Sequence, residues 1–180
     1  MKKITQFQSE NIHFVPLEEA HINPINALHS LTEVAQFNTI GVPKEVETTA
    51  KLLENKLSRL DGNALGWALY NRENHFIGEA GISLAPKRFL KAEISYSLLP
   101  SLWNKGLGTE LAKHLIKYCF NHLDLHRVEA GVAVCNHASI RVLEKAGMKR
   151  EGRHRKILPL ATGWTDNFSY AILKEEWTRL

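Results

Sequence analysis

Apolar and polar positions recur along this chain in two periods, and the switches between them mark out its elements. Ile12, Phe14 and Leu17 predict a first strand, and a loosely amphipathic helix follows from about Ala20, with Pro24 tolerated only in its first turn. Past Pro43, the residues Val46, Ala50, Leu53, Leu57 and Leu60 recur at spacings of three and four. They form one apolar face of a second helix, which Asp61-Gly62-Asn63 ends. Leu65 to Tyr70 and Phe76 to Leu84 read as strands joined by the polar turn Arg72-Glu73-Asn74-His75, so they pair antiparallel, and Lys91 to Leu99 reads as a third.

Pro100 stops that third strand, and from Gly106 the residues Leu107, Leu111, Leu115 and Cys119 recur every four positions as one helix face. Val128, Ala130, Val132 and Val134 alternate as a strand. Ala138 to Ala146 then reads as a short helix closed by Gly147, a residue suited to a left-handed cap. Strands near Met148 to Arg153 and Phe168 to Leu173 complete the pattern. It predicts an α/β (α+β) fold with a mixed central sheet of about six to seven strands flanked by helices. With no internal repeat, low-complexity run or linker, residues 1–180 read as a single domain.

Composition narrows the class without changing that picture. Hydrophobic residues at 44% and charged residues at 23% are ordinary for a globular protein, which excludes disordered and fibrous classes. No stretch approaches the roughly 20 apolar residues of a bilayer span. Met1-Lys2-Lys3 is followed by polar sequence rather than a signal-peptide core, so no membrane association and a cytoplasmic location are expected. Cys119 and Cys135, the only 2 cysteines, lack zinc-site or redox spacing and are expected to be free, mostly buried thiols. The 9 histidines show no His-Glu-x-x-His pattern, so no metal is expected and His122, His126 and His137 read as packing or surface residues. A net charge of +4 favours an anionic ligand weakly. No basic block with interleaved aromatics points to nucleic acid.

The chemistry concentrates between strand and helix, in Pro100-Ser101-Leu102-Trp103-Asn104-Lys105-Gly106-Leu107-Gly108-Thr109-Glu110. Glycine lets a ligand approach the main chain, and the first amides of a helix have no intrahelical acceptor, so the segment suits a phosphate. Lys105 precedes Gly106 and no Gly-Lys-Ser/Thr occurs, which disfavours an ATP-type loop, and the three-glycine dinucleotide pattern is absent.

Several further motifs accompany this loop in order. They are Ala92-Glu93-Ile94-Ser95-Tyr96, Asn136 with Ala138-Ser139-Ile140, Leu143-Glu144-Lys145-Ala146-Gly147-Met148, Arg150-Glu151-Gly152 and Gly163-Trp164-Thr165-Asp166. From about Phe76 to Trp177 the set resembles the GNAT superfamily of acetyl-CoA-dependent N-acetyltransferases, in particular its ribosomal-protein N-terminal (RimJ/RimL-like) branch. The N-terminal third, which in such proteins helps shape the acceptor site, matches only loosely.

The resemblance implies a GNAT-like fold, acetyl-CoA as co-substrate and an amine acceptor, of which a protein N-terminus is one form; monomer and homodimer both fit. It implies that the amides of Gly106, Leu107, Gly108 and Thr109 hold the cofactor pyrophosphate, with Trp103, Asn104 and Lys105 in the same loop, and that the strand end at Leu98 and Leu99 pairs with the pantetheine arm. Trp103 stands where the superfamily usually has Gln or Arg, as it often does in this branch. Asn136 reads either as a helix N-cap or as a cofactor contact, and both hold if the backbone starts the helix while the side chain faces the pantetheine.

Glu93 matches the strand glutamate that serves as base in some members, against the alternative of a solvated strand residue. Leu143 occupies the place of the tyrosine that many members use as acid. Ser139, four residues earlier on nearly the same helix face, matches the branch's serine and is the expected proton donor to the thiolate. Asp166 is a secondary candidate, in a stretch expected to form a turn. Freeing an α-amine at pH 7 costs about 1 kcal/mol, against 4 to 5 for a lysine, so a weakly specified base suits an α-amine acceptor. A small-molecule amine such as an antibiotic or polyamine, and a non-catalytic acyl-CoA-binding module, are the alternatives.

Overall fold

Residues 5–43, 45–51 and 63–177 are described by the computed structural model. Their elements are β1 (Phe7–Gln8), β2 (His13–Pro16), α1 (Ile22–His29), α2 (Thr32–Ala35), helical residues 46–51 (α3), β3 (Ala64–Tyr70), β4 (Phe76–Leu84), β5 (Lys91–Leu98), α4 (Leu107–Asn121), β6 (Arg127–Ala133), α5 (His137–Lys145), β7 (Lys149–Leu160), β8 (Gly163–Leu173) and α6 (Lys174–Trp177). The strands form one eight-stranded sheet in the order β1-β2-β3-β4-β5-β6-β8-β7. Every neighbouring pair is antiparallel except β5 and β6, which are parallel and joined by the α4 crossover.

The two sheet faces are set by strand alternation. Trp67 and Leu69 of β3 join the main core, whereas Ala68 between them packs with Leu17 and Ile25 of the α1 side. On the main-core face, Leu111, Leu115 and Cys119 of α4 are fully buried with Ala92, Ile94 and Leu98 of β5 and Val128 of β6. Phe7, Phe14, Trp67 and Tyr118 cluster at the far end of α4 with ring centroids 4.1 to 5.6 Å apart, Phe7 stacked on Phe14 and Tyr118 and Trp67 edge-on to Phe7 and Tyr118. Glu110 ties this N-terminal hairpin to the first turn of α4. Its Oε1 accepts from Ser9 Oγ at 2.6 Å and from the Asn11 amide at 2.7 Å, and its Oε2 accepts from Asn11 Nδ2 at 2.9 Å.

Pro24 is the third residue of α1, in the first turn where its missing N–H breaks no bond. The helix predicted to run from Val46 to Leu60 is present over 46–51, and its remainder lies outside the described residues. The eighth strand, β1, escaped prediction because two residues carry no period. The hairpin of β7 and β8 is far longer than the expected strands, since Lys149–Leu160 is exposed almost throughout and shows no alternation. Gly163-Trp164-Thr165-Asp166 is not a turn but the start of β8. The Asp166 carboxylate instead bridges the β7 bulge, accepting from the Lys156 amide at 2.9 Å and from Arg153 Nε at 2.6 Å. These two donors hold its carboxyl below the ordinary value. Cys119 is buried as expected, but Cys135 is exposed, because it sits in the turn between β6 and α5 and belongs to neither.

Candidate active site

Strands β5 and β6 pair only at Lys91↔Arg127, Ala92↔Val128 and Glu93↔Glu129, and beyond Glu93 they part. The closed end is clamped by charge. Glu129 accepts from Lys91 Nζ at 2.9 Å and from Arg127 Nε at 2.7 Å, and Arg127 reaches on to Glu151. Burial pushes the Glu129 carboxyl up, but these cations outweigh it and hold the group below its ordinary range. The open end is a cleft of about 700 Å³ that runs between the free strand edges and under the loop before α4.

The edge of β5 facing this cleft is chemically open. The Lys91 carbonyl accepts from the Ala85 amide and the Leu99 amide donates to Ile77 at 3.0 Å, so odd-numbered residues bond toward β4. Alternation therefore turns the main-chain groups of Ile94, Tyr96 and Leu98 into the cleft. One is already engaged, because Trp103 Nε1 donates to the Leu98 carbonyl at 2.8 Å and thereby folds the loop onto the strand end.

The loop then turns twice through the left-handed region, at Asn104 (φ 61°) and Gly106 (φ 84°), and enters a 15-residue helix. Thr109 and Glu110 donate back to the Gly106 carbonyl, while no backbone acceptor among the described residues takes the amides of Asn104–Gly108. A run of open donors at the positive end of a helix of this length is an anion cradle. Its two glycines have separate causes. A Cβ at Gly106 would meet open space, and its backbone needs the left-handed conformation. A Cβ at Gly108 would lie 3.1 Å from Val142 of α5, so this glycine lets α5 close onto α4.

That approach brings Asn136 and Ser139 to the cleft. Asn136 caps α5, its Oδ1 accepting from the Ser139 amide at 3.0 Å, which leaves the amide nitrogen as its remaining polar group. Ser139 Oγ lies 3.2 Å from the hydroxyl of Tyr96, which projects from β5 on the same face. Burial pushes the Tyr96 phenol up to about 12, against a smaller lowering by Ser139. It therefore stays protonated, and either hydroxyl of the pair can donate to the other. The sequence motif around Tyr96 assigns it no role, and only the strand register and the α5 cap bring it to the serine.

Glu93 stands where β5 and β6 part, on the opposite face of β5 from Tyr96. A Cβ at Gly131 would lie 3.4 Å from its Oε1 and 3.0 Å from Asn167 Nδ2, so the three residues crowd together. Of the residues singled out from the sequence, Glu93, Leu98, Trp103, Asn104, Gly106, Gly108, Thr109, Asn136 and Ser139 line the cleft. Leu99, Lys105 and Leu107 do not; the Leu99 amide is bonded to β4 and Leu107 packs against the core. Leu143 is 1% exposed and packs in the core, where it offers no proton. His122 stacks on Tyr118 at 4.8 Å. Among the described residues no three His, Cys, Asp or Glu side chains cluster as metal ligands, and no helix is long and apolar enough to cross a membrane.

Known proteins match this arrangement. The family model described as an acetyltransferase (GNAT) domain matches residues 11–149. The uncharacterized N-acetyltransferase p20 of Bacillus licheniformis is 30% identical over 148 residues, covering 81% of this chain and 83% of that protein. The uncharacterized N-acetyltransferase YnaD of Bacillus subtilis (strain 168) is 41% identical over 85 residues, which are 47% of this chain and 50% of that protein. With YnaD and with the probable N-acetyltransferase YjcK, the chain thus matches about half the length of the curated relative. Among solved structures, a GNAT-family acetyltransferase from Bacillus anthracis superposes with a TM-score of 0.82 at 27% identity, over 95% of this chain and 99% of that one. RimL, a ribosomal L7/L12 α-N-protein acetyltransferase solved with coenzyme A, superposes with a TM-score of 0.84 at 19% identity, over 94% and 98%, a likeness of fold alone.

Proposed function

Since the chain belongs to the GNAT acetyltransferase family, we propose that it transfers an acetyl group from acetyl-CoA to a primary amine, most simply the N-terminal α-amine of a protein such as a ribosomal protein. The observation that carries this reading is the cleft itself. An open strand edge suits the amides of a pantetheine arm, and it leads directly to a loop whose amides await a diphosphate. The residues fit the cofactor: the Asn104–Gly108 amides for the phosphates, the Tyr96 main chain and the Asn136 amide nitrogen for the pantetheine.

Acetyl-CoA brings the activated thioester, and the protein's part is proton management around it. Amine attack makes the C–N bond as the C–S bond breaks, and the sulfur leaves with a negative charge that the proton of Ser139 Oγ–H neutralises. When the Tyr96 hydroxyl donates to Ser139 Oγ, 3.2 Å away, the serine's own hydrogen is left for the sulfur. On the other face Glu93 receives the amine proton. It lies three residues from Tyr96 along β5, about 10 Å at 3.3 Å per residue, so a water carries the proton across. Acid and base on opposite sides of one open strand edge keep the two proton transfers from short-circuiting.

The test is thiol release from acetyl-CoA with a panel of N-terminal peptides. CoA release above the no-acceptor background is expected, together with a calorimetric CoA affinity. A folded protein with no affinity for CoA or acetyl-CoA defeats the reading.

A further inference from the structure

Gly131 is the one exposed residue of β6, a strand flanked by β5 and β8. A glycine inside a strand weakens it and often marks the close approach of a ligand. Backbone conformation does not call for one here, because Gly131 lies outside the left-handed region. Its neighbours supply the reason. Glu93 pairs with Glu129 and Asn167 with Ala133, so each reaches Gly131 diagonally and on the same face, one from either flanking strand. The Cβ that glycine lacks would fall 3.4 Å from Glu93 Oε1, and 3.0 and 3.6 Å from Nδ2 and Oδ1 of Asn167. A water resting over the glycine has room where a methyl would stand, with a carboxylate oxygen on one side and an amide on the other. All three residues line the cleft.

We infer that Glu93, Gly131 and Asn167 form the seat of the water that relays the acceptor's proton, with Asn167 as a positioning residue. The inference rests on the acetyl-transfer reading and on Glu93 as its base. The bound ammonium gives a proton to the water oxygen as the water gives one to Glu93 Oε1, and the freed nitrogen lone pair then attacks the thioester carbonyl. An ordered water needs about two to four polar partners, and the carboxylate alone is one. Asn167 adds a second, able to donate or accept, and the acceptor nitrogen is the third. The glycine matters as much as the amide, since any side chain there would stand where the water does. Nearest in register among titratable residues are Glu129, bound by Lys91 and Arg127, and His154, opposite Asn167 on β7. Farther along this face lie Glu79 of β4, beside His29, and Lys149 of β7, paired with Glu176. Val34, Phe37, Asn38 and Thr39, which line the cleft from the N-terminal part of the chain, do not titrate. Substitutions at 131 and 167 keep all these groups, so their titration cancels in a ratio of variant to wild type.

The test is the pH profile of kcat/KM for the wild type, Gly131→Ala and Asn167→Leu, with a peptide α-amine and an alkylamine as acceptors. Their reference pKa values are about 7.7 to 8.0 and about 10.4. Without the relay only the free amine reacts, so its fraction sets the loss. At pH 7 each variant is expected to fall roughly tenfold with the peptide and upward of about 100-fold with the alkylamine. The loss shrinks toward parity as pH rises through the pKa of the acceptor in use, because a free amine needs no base. With the peptide it closes above about pH 8, where with the alkylamine it persists. If only one acceptor turns over, it is read against its own pKa. A loss constant in pH overturns the inference, since a merely structural fault is indifferent to the acceptor's charge. A loss that closes at one pH for both acceptors overturns it too, because a protein group is then titrating. Adding Glu93→Gln to Gly131→Ala is expected to cost little beyond either change, and additive losses overturn the shared water. Should Gly131→Ala not fold, Asn167→Leu carries the same comparison. Calorimetry with CoA keeps the two levels apart. A Gly131→Ala protein that loses CoA affinity along with turnover means that the glycine admits the cofactor, which overturns the inference alone. A folded wild type without CoA affinity defeats the acetyl-transfer reading itself.

Discussion

At the mouth of the cleft, the bond that folds the loop onto its strand joins Trp103 to Leu98, five residues apart, whereas the bond at the back of an adjoining side cavity of about 160 Å³ joins His29 to Glu79, 50 apart. The cofactor side is thus made from one contiguous strand, loop and helix, and its donors are main-chain amides that almost any sequence with the right glycine supplies. The side cavity is lined by side chains of α1, β4 and β5 that meet only when the sheet is complete. Substitutions in the first region are therefore expected to depress turnover with every acceptor alike.

Gly106→Asp tests the cofactor side most severely. It forces a side chain into a backbone at φ 84° and sets a negative charge among the open amides. CoA affinity by calorimetry is expected to fall by roughly 100-fold or more. Ser139→Ala is expected to lower kcat by about 100-fold for all acceptors, with CoA affinity retained, as loss of a positioned proton donor does. Turnover near the wild-type level would remove the serine from the mechanism. Tyr96→Phe is expected to cost about tenfold in kcat, and much less again when Ser139 is already alanine, because a residue acting through the serine is silent without it. Additive losses in that double-mutant cycle would separate the two.

Asn136→Ala removes the α5 cap, and a loss of about 1 kcal/mol in denaturant unfolding is expected, accompanied by weaker CoA binding. The smallest effect is a pH dependence at Glu110. Burial pushes its carboxyl up, but hydrogen bonds from Asn11 and Ser9 outweigh this and hold it below its ordinary 4.5. Native stability from this group is then complete above that pH and is lost as pH falls through the lower native value. Denaturation midpoints should drop below pH 4.5, and the drop should be shallower in Glu110→Gln.

Much of the fold was legible beforehand because its periods are local. The face of Leu107, Leu111, Leu115 and Cys119 is a helix in any context that can bury it, and it is buried here. The strands from Leu65 to Leu99 alternate against a turn too short for anything but antiparallel pairing. The long β7–β8 hairpin was not legible, since Lys149–Leu160 is almost wholly exposed and is held by cross-strand bonds and by Asp166, not by a buried face. Asn136 showed its cap by residue type alone, but the partner of Ser139 did not appear, because nothing near Tyr96 in the chain records which helix will lie over it.

By itself, then, the sequence determined a strand, a double-glycine loop and a helix that together form an anion cradle, since chain connectivity enforces their proximity. The tertiary structure decided where β5 and β6 part, that Tyr96 meets Ser139, and that His29 meets Glu79 beside the cleft. Those meetings depend on strand register and helix packing between segments 43 and 50 residues apart, and no local pattern encodes a distance of that kind.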